Sequence, residues 1–202
     1  MMAYKIVQTI LKILFKPLFR IEVIGKENIP IENGYIICAN HKSNWDPVFL
    51  AIAFEEPISF MGKKELFDIP VFGNIAKGLR AFPVDRDNRD LKSLKETIKR
   101  LKVGENIGIM PEGTRTKNIS RDNMKEGVSF IALKANKDIV PVEIISKFRP
   151  FSKSYVYIKE PIKISKYKNI KNKEAMVKIT DQIYQGIYEI QLEQLESSNN
   201  GY

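Results

Sequence analysis

The sequence predicts an α/β fold: a mixed, mostly parallel β-sheet flanked by helices and preceded by an N-terminal amphipathic helix. Short apolar runs rich in β-branched residues alternate along the chain with longer stretches whose apolar residues recur at helical spacing. This alternation is typical of a sheet with helices packed on its faces. The first twenty residues form a separate helical pattern.

The first predicted helix has a polar and an apolar side. At about 100° per residue, the apolar side carries Ile6, Val7, Ile10, Leu11, Leu14 and Leu18, and the polar side carries Lys5, Gln8, Thr9, Lys12 and Lys16. The lysines interrupt the apolar run, which is shorter than the roughly 18 residues of a spanning helix. No small-residue cleavage site of a signal peptide follows. Two interpretations stay open: a helix in the membrane interface, with its lysines toward anionic headgroups, or a helix packed on the domain's own core.

The remaining elements follow in order. The predicted strands are Tyr35–Ala39, Ile58–Met61, Ala81–Val84, Asn106–Met110, Ile139–Ile145 and Tyr155–Ile158. The predicted helices are Pro47–Phe54, Asp90–Val103, Lys125–Asn136 and Lys173–Leu195. No repeat or long linker divides the 202 residues, so we expect the helix at 1–20, one domain at 21–196 and a flexible tail at 197–202.

The composition restricts the partners and the compartment. Lys and Arg total 33 against 24 Asp and Glu, and the net charge of +9 favours nucleic acid, phosphorylated metabolites or acidic lipids. The lysine-rich stretch Lys159–Lys173 fits a solvated surface first and a lipid-binding patch second. The single cysteine, Cys38, excludes an intrachain disulfide and lies in an apolar run, so we expect a buried, inert thiol in a reducing, cytosol-facing location.

The first candidate site follows the strand that ends at Ala39. His41 is the only histidine, so a neutral-pH imidazole base must be this residue. Across a tight turn, Asp46 can reach Nδ1 of the ring, fix its tautomer and stabilise the imidazolium. Asp46 and Pro47 also fit a helix start, as N-cap and first helical residue, and the two roles are compatible.

Further polar clusters follow other predicted strands. In the motif Glu112–Arg115, the glycine permits a tight turn and the arginine offers a planar fork suited to phosphate. Its glutamate either binds a substrate hydroxyl or orients the arginine, and an ordinary polar turn is the alternative. Arg86 follows the strand ending at Val84 and suits either a phosphate or a surface ion pair. Lys63 is a further basic candidate at the end of a strand.

In order, these motifs resemble the four sequence blocks of the glycerophospholipid acyltransferase family, specifically the 1-acylglycerol-3-phosphate acyltransferases. The matching segments are His41–Asp46, Phe82–Arg86, Glu112–Arg115 and Val140–Val142, supported by Lys63–Phe67 and Pro70–Gly73. Met110 replaces a common aromatic residue, and Leu79–Pro83 replaces a stretch where the family usually has a glycine and an aliphatic residue. The resemblance covers roughly residues 20–145, and ordered motifs are far more specific than single ones.

The resemblance implies acyl transfer from a thioester of coenzyme A or acyl carrier protein to the sn-2 hydroxyl of lysophosphatidic acid, forming phosphatidic acid. It implies His41 as general base oriented by Asp46. The acceptor-binding residues it implies are Lys63, Arg86, Glu112, Gly113, Thr114 and Arg115. We expect no bound cofactor, no metal and no nucleic acid partner, and a peripheral position at the cytoplasmic face of the membrane.

Two alternatives stay open. An acyltransferase acting on glycerol 3-phosphate or on a lysophospholipid with a larger headgroup would share the His-Asp pair. A non-catalytic basic module that binds membranes or nucleic acid explains the charge and the amphipathic helix. That second alternative leaves the four ordered motifs unexplained.

Overall fold

The computed structural model describes residues 2–84 and 91–199. Its strands are β1 (Ile21–Ile24), β2 (Ile36–Ala39), β3 (Ile58–Lys63), β4 (Phe82–Val84), β5 (Asn106–Ile109), β6 (Ile139–Ser146) and β7 (Ser154–Ile158). Its helices are α1 (Met2–Leu18), α2 (Asp46–Ala53), α3 (Phe72–Gly78), α4 (Leu91–Lys102), α5 (Gly127–Ala135) and α6 (Asn172–Asn199). Within the described residues, the strands form one sheet in the order β1-β7-β6-β2-β5-β3-β4.

The centre of the sheet is parallel. β6, β2, β5, β3 and β4 run in one direction, β7 is antiparallel to β6, and β1 is parallel to β7. This arrangement confirms the predicted α/β class with a mixed, mostly parallel sheet. Because the parallel strands end at one edge, the loops after β2, β3 and β5 gather there. We call this the carboxyl edge of the sheet.

Helices bury both faces of the sheet, and β2 shows how the sequence divides between them. Its side chains alternate with the period of two that a strand imposes. Ile37 joins the core formed with α1 and α2, and Cys38 joins the core formed with α4, α5 and α6. Burial raises the pKa of the Cys38 thiol. The thiol is therefore the inert group expected from the sequence.

Helix α1 packs on the domain with one side and exposes an apolar surface on another. Tyr4 and Leu11 are buried, and so is Gln8, whose amide donates to the carbonyls of Ala51 and Phe54 at 2.8 Å each. The assignment of Gln8 to a solvated polar side was therefore wrong, because this amide satisfies carbonyls at the end of α2. The exposed surface, which we call the apolar stripe, consists of Met2, Ile6, Ile10, Ile13 and Leu14. Among the described residues, no helix has both the length and the apolar character needed to cross a bilayer.

The sequence missed two short elements and placed one end too early. β1 is a four-residue strand at the end of the sheet, and the charged Glu22 interrupts its apolar run. α3 has only seven residues, two of them glycines, which have low helix propensity. Helix α6 continues to Asn199, beyond the predicted helix end at Leu195. Residues 200–202 lie outside the described part of the chain.

Candidate active site

The loop after β2 holds the His41 ring through one carboxylate oxygen. Nδ1 of His41 lies 2.9 Å from Oδ2 of Asp46, and the same oxygen accepts the backbone N–H groups of Lys42 and Ser43 at 2.8 Å each. Asp46 is fully buried, while the His41 side chain keeps 14% of its surface exposed. Because a carboxylate only accepts, Nδ1 carries the proton in the neutral ring. The other nitrogen, Nε2, then has a free lone pair and can act as a base.

The structure brings the predicted His-Asp pair together but changes the second role of the aspartate. Trp45 is the N-cap of α2, Asp46 is the first helical residue, and Pro47 is the second, one position later than predicted. The side chain of Asp46 turns back to the preceding loop and does not cap its own helix. The N-cap interpretation of Asp46 was therefore wrong. The carboxylate serves the loop that carries His41.

Asn40 fixes the direction in which the chain leaves β2. Its side chain is fully buried, donates to the carbonyl of Ile144 at 2.9 Å and accepts the N–H of the same residue at 2.7 Å. The last backbone pair between these strands joins Ala39 to Val142, so the amide continues the pairing beyond it. The loop containing His41 therefore starts from a rigid point.

The loop after β5 holds the backbone of His41 on both of its polar groups. Oε1 of Glu112 accepts the His41 N–H at 3.2 Å, and the N–H of Thr116 donates to the His41 carbonyl at 3.0 Å. The two loops meet because β2 and β5 are adjacent parallel strands. The loop that contains the motif Glu112–Arg115 therefore positions His41, the first residue of the motif His41–Asp46.

Glu112 is buried behind His41 and contacts a residue that the sequence did not indicate. It is 2% exposed, and its Oε1 also accepts the hydroxyl of Tyr188 on α6, which is 1% exposed. Burial raises the pKa of the Glu112 carboxyl, and the donors from Tyr188 and from the His41 backbone lower it. Nζ of Lys42 lies 5.4 Å from the centroid of the Tyr188 ring. Acceptor binding by Glu112 stays a prediction, and the contacts of its carboxylate with the His41 N–H and the Tyr188 hydroxyl are those of a group that positions His41.

Helix α6 is fixed to the sheet on both sides of Tyr188. A Cβ added to Gly186 would lie 2.7 Å from Cβ of Pro141, so only glycine permits this close approach to β6. Glu143, fully buried on β6, accepts the N–H groups of Ile190 at 2.9 Å and of the following residue at 3.0 Å. Tyr188 is therefore held at a defined distance from the site.

The predicted phosphate-binding groups of the third motif lie on the surface of the carboxyl edge. Thr114 and Arg115 are exposed, and Arg115 forms no ion pair with any described residue. Gly113 has a φ of +71°, and an added Cβ would lie 2.8 Å from Nζ of Lys125. Glycine is therefore favoured here, and Lys125 brings a further cation beside the loop.

The other two predicted cations follow neighbouring strands. Lys63 ends β3, half exposed, with its Nζ 3.6 Å from Oε1 of Glu65. It pairs in register with Val84, the last residue of β4. Arg86 lies outside the described residues, so its role remains a prediction. Within the described part of the chain, no group of three or more His, Cys, Asp or Glu side chains is placed to hold a metal ion.

Aromatic side chains connect the His41 loop to α1. The ring centroid of Phe15 lies 5.0 Å from that of Trp45, next to Asp46 in the chain. Phe19 and Phe49 continue the cluster at 5.6 Å, and Phe49 contacts Phe148 at 5.4 Å. The N-terminal helix is therefore in direct contact with the loop that carries the candidate base.

The comparisons with known proteins agree on one family. The family model described as Acyltransferase matches residues 20–145. The 1-acyl-sn-glycerol-3-phosphate acyltransferase of Bacillus subtilis (strain 168) is 33% identical over 199 residues, which cover 93% of this chain and 96% of that protein. The enzyme of the same description from Streptococcus pneumoniae is 38% identical over 55% of this chain and 41% of its own length. The crystal structure of the 1-acyl-sn-glycerophosphate (LPA) acyltransferase from Thermotoga maritima superimposes with a TM-score of 0.73 at 28% identity, covering 93% of this chain and 79% of that one.

Proposed function

The chain belongs to the acyltransferase family, and on this premise we propose that it transfers a fatty acyl group from an acyl thioester to the sn-2 hydroxyl of 1-acylglycerol 3-phosphate, forming phosphatidic acid. The observation that carries the proposal is the 2.9 Å contact between Nδ1 of His41 and Asp46, which leaves Nε2 available at the carboxyl edge. The relatives named above act on this acceptor according to their descriptions.

The reaction needs one base and no covalent enzyme intermediate. Nε2 of His41 takes the proton of the acceptor hydroxyl as its oxygen attacks the thioester carbonyl carbon. The C–S bond then breaks, and the departing thiolate takes the proton back from the imidazolium. The Asp46 carboxylate stabilises the imidazolium while it is charged, because it accepts the hydrogen bond from Nδ1.

Glu112 and Tyr188 act on this reaction through the backbone of His41. The carboxylate and the N–H of Thr116 hold both polar groups of the His41 peptide, which limits the movement of the ring. The Tyr188 hydroxyl holds the carboxylate in turn. A base held in this way keeps Nε2 within reach of the acceptor hydroxyl. Because the ring is already oriented before the substrate binds, less entropy is lost in reaching the transition state.

The acceptor phosphate is assigned to the surface groups of the carboxyl edge. Arg115 supplies a planar fork for the phosphate oxygens, with Thr114 and Gly113 beside it in the same loop. Lys63 lies at the end of β3, and we retain Arg86 of the second block, which follows β4 in the chain. The sn-2 hydroxyl is on the carbon next to the one that carries the phosphate, so binding the phosphate there positions this hydroxyl beside His41.

The acyl donor and the membrane complete the proposal. The donor is a thioester of coenzyme A or of acyl carrier protein, used as a co-substrate with no bound cofactor. The apolar stripe of α1, bordered by Lys5, Lys12 and Lys16, supports a peripheral position on a phospholipid surface, and we propose that this surface is the cytoplasmic face of the membrane.

An acceptor panel tests the proposed function. The wild-type chain is offered lysophosphatidic acid, glycerol 3-phosphate and lysophosphatidylcholine, each with a coenzyme A thioester and with an acyl carrier protein thioester. We expect phosphatidic acid from the first acceptor with at least one donor. Faster acylation of another acceptor, or no product from folded protein with any pair, rejects the assignment.

A further inference from the structure

The connection between β6 and β7 combines an exposed aromatic residue with three cations. Its residues 147–153 read Lys-Phe-Arg-Pro-Phe-Ser-Lys, and we call them the basic loop. Lys147, Arg149 and Lys153 are exposed, and the loop contains no acidic residue. It follows β6, which is parallel to β2, so it leaves the sheet at the same edge as the loop of His41.

The two phenylalanines of the basic loop have opposite environments. Phe148 packs its ring against Phe49 in the core, at a centroid distance of 5.4 Å. Phe151 is 74% exposed, although a phenylalanine side chain gains considerably from leaving water. The first residue anchors the loop, and the second has no core role that explains its type.

Phe151 is also held in a backbone conformation that does not suit it. Its φ is +63°, a region that glycine adopts readily and that is unfavourable for a bulky side chain. Hydrogen bonds fix the turn: the N–H of Phe151 donates to the carbonyl of Leu18 at 2.6 Å, and Ser152 donates to the carbonyl of Arg149. A glycine at this position would adopt the φ of the turn without strain, so the turn does not explain the aromatic side chain.

The contact with Leu18 places the basic loop at the C-terminal end of the helix that carries the apolar stripe. Two of the loop's cations, Lys147 and Arg149, form no ion pair with any described residue, while Lys153 lies 3.7 Å from Glu22. An aromatic ring next to unpaired cations is the composition of a segment at a lipid headgroup layer. In such segments the ring enters the acyl boundary and the cations bind anionic headgroups.

We propose that the basic loop is a second lipid contact, in which Phe151 inserts into an anionic bilayer beside α1 while Lys147 and Arg149 bind the headgroups. This inference rests on the proposed function: the second contact turns the carboxyl edge toward a lipid acceptor in the membrane. An acidic protein would be attracted by the same cations, but it would not need the protruding ring. The phenylalanine therefore distinguishes the lipid from a protein partner.

The test is flotation of the full chain with vesicles of phosphatidylcholine alone or mixed with phosphatidylglycerol. Phe151→Gly is expected to lower partitioning to the mixed vesicles about tenfold, because an inserted ring is lost. Its unfolding temperature is expected to hold, since glycine adopts this φ without strain. Ile31→Gly, at a fully exposed residue before the amino end of β2, is the matched control and should partition like wild type.

A second variant keeps the proposal testable if Phe151→Gly does not fold. Replacing Lys147 and Arg149 with glutamine should lower partitioning to the mixed vesicles about fivefold for each cation and leave binding to phosphatidylcholine unchanged. Wild-type partitioning by both variants overturns the proposal. The proposal is also overturned if the variants lose binding to purified acyl carrier protein but still bind vesicles. Vesicle binding is measured without substrate, so failure of this proposal can be distinguished from failure of the proposed function in the acceptor panel.

Discussion

Replacing Tyr188 with phenylalanine removes one hydroxyl from the group that holds His41. The phenylalanine ring is nearly isosteric and stays in its pocket, but Oε1 of Glu112 loses the Tyr188 hydroxyl as a donor and keeps the His41 N–H. Leaving a buried acceptor short of a donor costs about 1–3 kcal/mol. For a chain of this size the unfolding temperature should fall by about 2–12 °C.

The effect on catalysis comes from the position of the base. A shift of about 1 Å in a catalytic group costs up to about a hundredfold in rate. We therefore expect kcat of Tyr188→Phe to fall about 10- to 100-fold with a small change in KM, because the phosphate-binding groups are untouched. Tyr184→Phe is the matched control, since its ring lies 5.7 Å from that of Tyr188 on the same helix.

A spectroscopic readout separates positioning from general destabilisation. The chain has one histidine, so labelling with ¹⁵N-histidine gives a single backbone amide resonance, from His41. Loss of the Tyr188 hydroxyl changes the hydrogen bond that Glu112 accepts from the His41 amide. The chemical shift of the His41 resonance should therefore change in Tyr188→Phe and stay the same in Tyr184→Phe. A Tyr188→Phe protein with wild-type kcat and an unmoved His41 resonance refutes the reasoning.

Three further predictions follow from single contacts. Asn40→Ala loses both hydrogen bonds to Ile144 and should lower the free energy of unfolding by about 1–3 kcal/mol, measured in urea; an unchanged midpoint contradicts this account of the loop. Glu112→Gln removes a carboxyl whose pKa burial has raised above its unfolded value, so the native state holds that proton more tightly and wild-type stability falls as pH rises through the raised pKa. The variant's stability relative to wild type should therefore be greatest at neutral pH and diminish on acidification; a pH-independent difference in urea melts contradicts this. Gly113→Ala must adopt a φ of +71° beside Lys125, so it should lose about 1 kcal/mol or more and bind the acceptor less well, and a wild-type KM is the opposing result.

The sequence predicted the elements whose patterns are long and regular. The six predicted strands and the helices after them are present because apolar residues recur at clear periods in each. β1 was not predicted because the charged Glu22 interrupts its short apolar run, and α3 was not predicted because two of its seven residues are glycines. Gln8 was misplaced because its burial depends on two carbonyls of α2, which the helical pattern of α1 does not contain.

For the site, the sequence supplied the groups and the fold supplied their relations. His41 and Asp46 lie close in the chain, so a turn alone could be expected to join them. The contact between Glu112 and the His41 backbone depends on β5 lying next to β2, an order that strand patterns do not determine. Tyr188 lies 76 residues from Glu112 in a helix whose aromatic residues look like ordinary core. No local signal distinguishes it from Tyr184.

The central claim is that His41 is the base for acyl transfer to lysophosphatidic acid. The most direct measurement is the rate of phosphatidic acid formation by wild type and by His41→Ala at equal concentrations of folded protein. We predict that the variant loses about 10²- to 10⁴-fold in rate while its unfolding temperature changes little, because His41 contributes a proton acceptor from a loop that other contacts hold. Phosphatidic acid formation by His41→Ala at the wild-type rate would contradict the account.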